Sequence, residues 1–202
     1  MNQTSHWEDV YRTKAAEERS WTQAVPEPSL SMIVGLDLPR SAPIIDIGGG
    51  DSRLVDALLD AGFHDVTVLD ISQEALSRAQ ERLGERAQKV RWIVADITTF
   101  TPERHYALWH DRAVFHFLTD QQQIQNYVVL ASTWTAKFLV LGTFSTEGPR
   151  KCSGLEVTQY SAESLSERFS TGFKPIECFS HNHQTPFGTT QDFVFCLFAK
   201  QP

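Results

Sequence analysis

From Pro43 onward the sequence predicts an α/β fold built on a mostly parallel sheet. Three observations carry the prediction. Apolar runs of strand length alternate with amphipathic helical stretches, the helices start at capping residues and stop at glycines, and the final two apolar runs are close enough to form a hairpin. Ile44-Ile45-Asp46-Ile47 reads as a buried strand, Gly48-Gly49-Gly50 as the turn, and Leu54, Val55, Leu58 and Leu59 as a helical stripe halted at Gly62. Val66 to Leu69 is the second strand. Ser72 then caps a helix whose inner face is Ala75, Leu76, Ala79 and Leu83, stopped by Gly84. Val90 to Ala95, Tyr106 to Trp109 and Lys137 to Phe144 supply three more strands, and a helix opening near Asp120 joins the last two. A helix from about Ser161 to Phe169 precedes strands near Phe173 to Phe179 and Asp192 to Ala199. Their connection of about a dozen residues turns the sheet mixed, with an antiparallel last strand.

Residues 1–42 read as a helical cover, broken by Pro26, Pro28 and Pro39, that carries Trp7, Tyr11 and Trp21 ahead of the domain spanning 43–202. With 202 residues and 41% hydrophobic content, the chain is large enough to bury a core. A net charge of -7 repels phosphate backbones and anionic lipid, so neither nucleic acid nor a membrane is an expected partner. Three cysteines, Cys152, Cys178 and Cys196, are an odd number without CxxC spacing. They are expected as free thiols in a reducing, cytoplasmic setting, with Cys178 and Cys196 in the core. The polar stretch from Met1 to Ser20 has no apolar signal region, and no apolar run is long enough to span a bilayer.

In open α/β sheets, ligands bind beyond the carboxyl ends of the strands. Those ends carry Asp46 with Gly48-Gly49-Gly50-Asp51, then Asp70, Asp96 and His110-Asp111-Arg112. A glycine turn at a helix start, with a carboxylate about twenty residues beyond, suits a nucleoside whose ribose hydroxyls reach Asp70. GxGxxG fails, because Asp51, Ser52 and Arg53 follow Gly50, and no GxxxxGK[ST] loop exists. Asp51 stands where a pyrophosphate would rest, and like charges about 4 Å apart in a partly buried site cost several kcal/mol. A ring of aspartates instead suits a cationic, phosphate-free cofactor such as S-adenosylmethionine.

The segments Asp46-Ile47-Gly48-Gly49-Gly50-Asp51-Ser52, Leu69-Asp70-Ile71-Ser72 and Ala95-Asp96-Ile97 resemble class I S-adenosylmethionine-dependent methyltransferases, most firmly over residues 40–145. The resemblance implies a doubly wound, seven-stranded Rossmann-like sheet in the order 3-2-1-4-5-7-6, the last strand antiparallel, with helices on both faces. It implies S-adenosylmethionine as cofactor and S-adenosylhomocysteine as product. It also implies that Asp46 and Gly48 to Gly50 line the methionine end, Asp70 with Ile71 the ribose, Asp96 with Ile97 the adenine, and His110 with Asp111 the transferred methyl. Ser52 departs from the commonest glycine pattern of the turn. The opening Ser5-His6-Trp7-Glu8-x-x-Tyr11 resembles small elongation-factor lysine methyltransferases, but the segment after strand 4 lacks their Asp-Lys-Gly-Thr-like sequence. A small-molecule acceptor is therefore the leading expectation and a protein lysine the second. A cofactor-binding regulatory protein is the non-enzymatic alternative.

Methyl transfer from a sulfonium needs alignment, exclusion of water and, for amines or hydroxyls, a base. The candidate bases are His110, expected to be oriented by Asp111, together with His116, His181 and His183. Trp7, Tyr11 and Trp21 are expected to close over the sulfonium, where aromatic faces attract cations. Lys14, with Arg12 and Arg53, is a candidate for the cofactor carboxylate, and Arg150 with Lys151 for an anionic substrate. No metal is expected. Cys152 with the rim histidines has soft-ligand chemistry, but its spacing defines no metal site.

Overall fold

The computed structural model describes residues 3–201; Met1, Asn2 and Pro202, at the outer edges of the expected domains, lie outside the described residues. The elements in chain order are α1 (Gln3–Thr13), α2 (Ser29–Val34), β1 (Ile44–Ile47), α3 (Leu54–Asp60), β2 (Val66–Asp70), α4 (Gln73–Leu83), β3 (Val90–Val94), β4 (Tyr106–Arg112), α5 (Gln121–Trp134), β5 (Thr135–Phe144), β6 (Lys151–Cys152), β7 (Leu155–Glu156), α6 (Ala162–Phe169), β8 (Phe173–Gln184) and β9 (Thr190–Lys200). Seven strands form one sheet in the order β3-β2-β1-β4-β5-β9-β8, which is the expected topology once the small β6–β7 hairpin is set aside. β1 to β5 pair in parallel, and β9 runs antiparallel to both β5 and β8.

Each face of the sheet has its own core, because successive strand residues point to opposite sides. Ile45, Ile47, Trp109 and Leu139 meet α5 and α6 on one face. Ile44, Val66, Leu108 and Val140 meet α2, α3 and α4 on the other, where Ile33, Leu38 and Ala42 from the N-terminal segment are also buried. Local signals end the helices as the sequence implies. Ser72 Oγ accepts from Ala75 N at 3.1 Å, and Asp120 Oδ1 accepts from Gln122 N at 2.9 Å and Gln123 N at 3.0 Å. A long-range contact adds to the first cap: the Glu8 carboxylate on α1 accepts from Gln73 N at 2.6 Å and docks α1 onto the start of α4.

The ending departs from expectation in two ways. β8 runs on to Gln184, so the connection to β9 shrinks to residues 185–189 and His181 and His183 lie within a strand. Antiparallel register sets Cys178 opposite Cys196, and the two form a disulfide; of the three expected free thiols only Cys152 remains. No helix among the described residues is long and apolar enough to cross a membrane.

Candidate active site

The carboxyl ends of β1, β2 and β4 open into a cavity of about 210 Å3 that residues of the N-terminal segment also line. Its walls divide into two ends of different chemistry.

At one end, the turn after β1 passes through left-handed backbone at Gly48 (φ 63°) and Gly50 (φ 49°). A Cβ at Gly50 would stand 2.5 Å from the Tyr11 hydroxyl and 3.2 Å from Asp70 Oδ2, so glycine there lets roof and floor close together. Asp46, Asp51, Asp70 and Asp96 all line the cavity, together with Ile71, Ile97, Gly48, Gly49, Tyr11 and Trp21. Gly50 lies just behind this wall. Asp70 accepts from Ser72 N at 2.8 Å, yet burial, reinforced by Asp46 and Asp51, raises its pKa to about 7. Asp96 Oδ1 is held by Thr98 through its N–H at 2.8 Å and its hydroxyl at 2.7 Å.

A residue the sequence reading missed balances these acids. Arg19 is 1% exposed, donates from Nη2 to Asp51 at 2.5 Å and lies with Cζ 4.7 Å from the Tyr11 ring centre. Its Nη1 is buried without a partner on the cavity wall. Lys14, the expected cation, follows the end of α1 at Thr13, is exposed and is off the wall. Only the position of a basic residue ahead of Trp21 hinted at Arg19. Arg12 pairs with Asp9, whereas Arg53 does line the cavity.

His110 lines the cavity, but not with the partner expected. β4 extends to Arg112, so His110 and Asp111 are consecutive strand residues on opposite faces. Register places His110 beside Asp46: its Nδ1–H donates to Asp46 Oδ1 at 2.6 Å, and its Nε2 faces Ser29 Oγ at 2.8 Å. Asp111 points into the other core and away from the cavity. It accepts from the Tyr127 hydroxyl, Val114 N at 2.9 Å and Phe115 N at 3.3 Å, and burial raises its pKa to about 6.

The remaining histidines are not on the cavity wall. His116 is fully buried and stacks on Phe144; its Nδ1 accepts from Phe144 N at 3.2 Å, and burial with nearby Arg112 lowers its pKa to about 3. His183 Nε2–H donates to Ser20 O at 2.6 Å, with a pKa lowered by burial to about 4. His181 lies edge-on to Phe195, its pKa also lowered by burial. Polarity near a strand connection suggested the rim, and the longer β8 withdrew these side chains from it. Arg150 is exposed and Lys151 pairs with Glu156 at 2.7 Å, both off the wall.

The far end is lined by Phe117, Phe144, Phe193, Arg112, Gln191 and Cys152. Burial pushes the Cys152 thiol up to about 11, so it is neutral at physiological pH. Among the described residues, no group of three or more His, Cys, Asp or Glu side chains is arranged to hold a metal ion.

Residues 44–131 match the family model described as a methyltransferase domain. Two curated proteins are similar over parts of the chain. The eEF1A lysine and N-terminal methyltransferase of Mus musculus is 23% identical over 121 residues, covering 59% of this chain and 17% of its own length. The malonyl-[acyl-carrier protein] O-methyltransferase 1 of Ilyobacter polytropus is 30% identical over 83 residues, covering 41% and 29%. The chain thus spans less than a third of the length of either relative. The N-methyltransferase NodS of Bradyrhizobium japonicum WM9, solved in complex with S-adenosyl-l-homocysteine, superposes with a TM-score of 0.72 over 100% of both chains at 17% identity. Residues 44–131 are accordingly similar to a methyltransferase domain, and the chain has the seven-stranded fold of class I S-adenosylmethionine-dependent methyltransferases.

Proposed function

We propose that the chain transfers a methyl group from S-adenosylmethionine to a small-molecule acceptor. One observation carries the reading: an acidic, glycine-floored pocket end with a buried guanidinium, Arg19, whose Nη1 lacks a partner. That arrangement matches a phosphate-free zwitterion. Arg19 has a free donor for a carboxylate, Asp46 and its neighbours attract a cation, and Asp70 accepts from ribose hydroxyls.

When bound, the cofactor supplies a methyl carbon already made electrophilic by its sulfonium, so that displacement leaves the C–S electron pair on sulfur. The chain's own residues align and enclose. His110 fixes the Asp46 carboxylate and, through Ser29, ties the start of α2 to the sheet, which makes it a positioning residue and not a free base. Trp7 packs edge-on against Trp21 and Phe117 in the roof and keeps water out. The N-terminal segment to about residue 42 thus serves as the cover of the site.

The cavity's small size favours a small acceptor over a protein side chain. A protein acceptor is the second reading, favoured by the activity in the mouse relative's name. Calorimetry with S-adenosylmethionine, S-adenosylhomocysteine, NAD and ATP tests the cofactor: the first two are expected to bind, and binding of NAD or ATP alone overturns the reading. Incubating tritiated cofactor with cell extract split by size tests the acceptor. Label in the low-mass fraction is expected, and label confined to macromolecules selects the protein reading.

A further inference from the structure

The far end of the cavity contains a cation that the chain leaves unpaired. Arg112 Nη1 donates to Trp21 O at 3.0 Å, while Nε and Nη2 are sealed from solvent without partners. No carboxylate forms an ion pair with Arg112 among the described residues; Asp46, which acts on it electrostatically, is already engaged by His110. Burial lowers the Arg112 pKa only to about 10, so the guanidinium stays charged at neutral pH. Its Cζ lies 5.3 Å from the Phe193 ring centre, and Phe193 packs edge-on against Phe144 at 4.8 Å. Gln191, on the same wall, has a buried Oε1 that also lacks a partner.

An unpaired guanidinium is costly to bury, and Arg112, a residue of the cavity wall, has two unpartnered donors that a bound anion would satisfy as a planar fork. Phe117, partly exposed on the same wall, offers an aromatic ring to a flat apolar body. We propose that Arg112 recognises the anionic group of a flat aromatic acceptor, the carboxylate of a small ring acid being the best match. The assignment rests on the methyltransferase reading for the word acceptor, and on Arg112 alone for the anion. It differs from the sequence expectation, which looked to Arg150 and Lys151.

The test is isothermal titration of the chain, with and without S-adenosylhomocysteine, using benzoate, 2-naphthoate and the neutral isostere 2-naphthamide. At least one acid is expected to bind, and 2-naphthoate roughly tenfold or more tighter than the amide, as a charge-assisted fork implies. Arg112→Gln should erase the preference for acid over amide; Arg112→Lys should keep part of it. A merely structural role for Arg112 would weaken acid and amide alike and leave their ratio unchanged. Equal affinity of acid and amide, failure of both acids to bind, or a preference that survives Arg112→Gln overturns the proposal. If Arg112→Gln does not fold, the wild-type ratio and Arg112→Lys decide. Acid binding without S-adenosylhomocysteine binding strikes the methyltransferase reading and leaves the anion site standing. The reverse result strikes the anion site alone.

Discussion

The two ends of the cavity solve opposite electrostatic problems. At the cofactor end, carboxylates crowd together, and most are tied down: Asp46 by His110, Asp51 by Arg19, Asp70 by Ser72 N and Asp96 by Thr98. At the proposed acceptor end a single guanidinium stands beside aromatic rings with two donors unpartnered. A pocket whose polar groups are held before a ligand arrives is preorganised for one fixed partner. At the cofactor end Arg19 leaves one donor open, Nη1, whereas an end whose guanidinium leaves two open depends more on its ligand to complete it. The cofactor end should therefore respond to substitution through cofactor affinity, and the acceptor end through acceptor affinity alone.

The largest effect that would sharpen this contrast is expected at Arg19. Arg19→Met removes the free donor and leaves Asp51 without its cation, and S-adenosylhomocysteine affinity should fall by about 3 kcal/mol, roughly a hundredfold, in calorimetry. Gly50→Ala comes next. Its left-handed φ and the clash with the Tyr11 hydroxyl should cost about 1–3 kcal/mol of stability in denaturant titration and loosen the roof.

Asp70→Asn should weaken S-adenosylhomocysteine by about 1–2 kcal/mol and flatten the pH dependence of binding. Because burial raises the Asp70 pKa from 3.8 to about 7, the folded state holds a proton there that the unfolded state releases. That contribution to stability is present at low pH and is lost as pH rises from about 4 to about 7, by a few kcal/mol at most. Ligand hydroxyls bind the ionised carboxylate best, so cofactor affinity should rise over the upper part of the same window and level off above about 7. A flat wild-type profile between pH 5.5 and 8 would remove Asp70 from the binding wall. The smallest effect is expected for Phe193→Leu, which should leave S-adenosylhomocysteine affinity within about twofold while weakening aromatic acids by about 1 kcal/mol. Equal losses for both ligands would erase the distinction between the two ends.

The cofactor end was the more legible in sequence because its signals are local. The glycine turn after Ile44–Ile47 and the acids closing successive strands sit at fixed offsets from elements whose periodicity is visible in the chain. His110 was legible as a residue of the site but not by its partner. Adjacency to Asp111 suggested one pairing, and strand alternation turned Asp111 to the opposite core. Arg19 carries no local pattern, Arg112 was legible only as a strand-end residue, and their neighbours on the wall come from distant parts of the chain.

Sequence alone determined the alternation of strands and helices, the caps at Ser72 and Asp120, and the glycine turn that brings backbone against Asp70. Each of these follows from the conformational preferences of a few consecutive residues. Tertiary structure decided the rest: β1–β4 register joined Asp46 to His110, β8–β9 register joined Cys178 to Cys196, and the fold-back of the N-terminal segment set Arg19 over the acids. Long-range pairing depends on how strands align and faces pack, and that information is distributed over the whole chain.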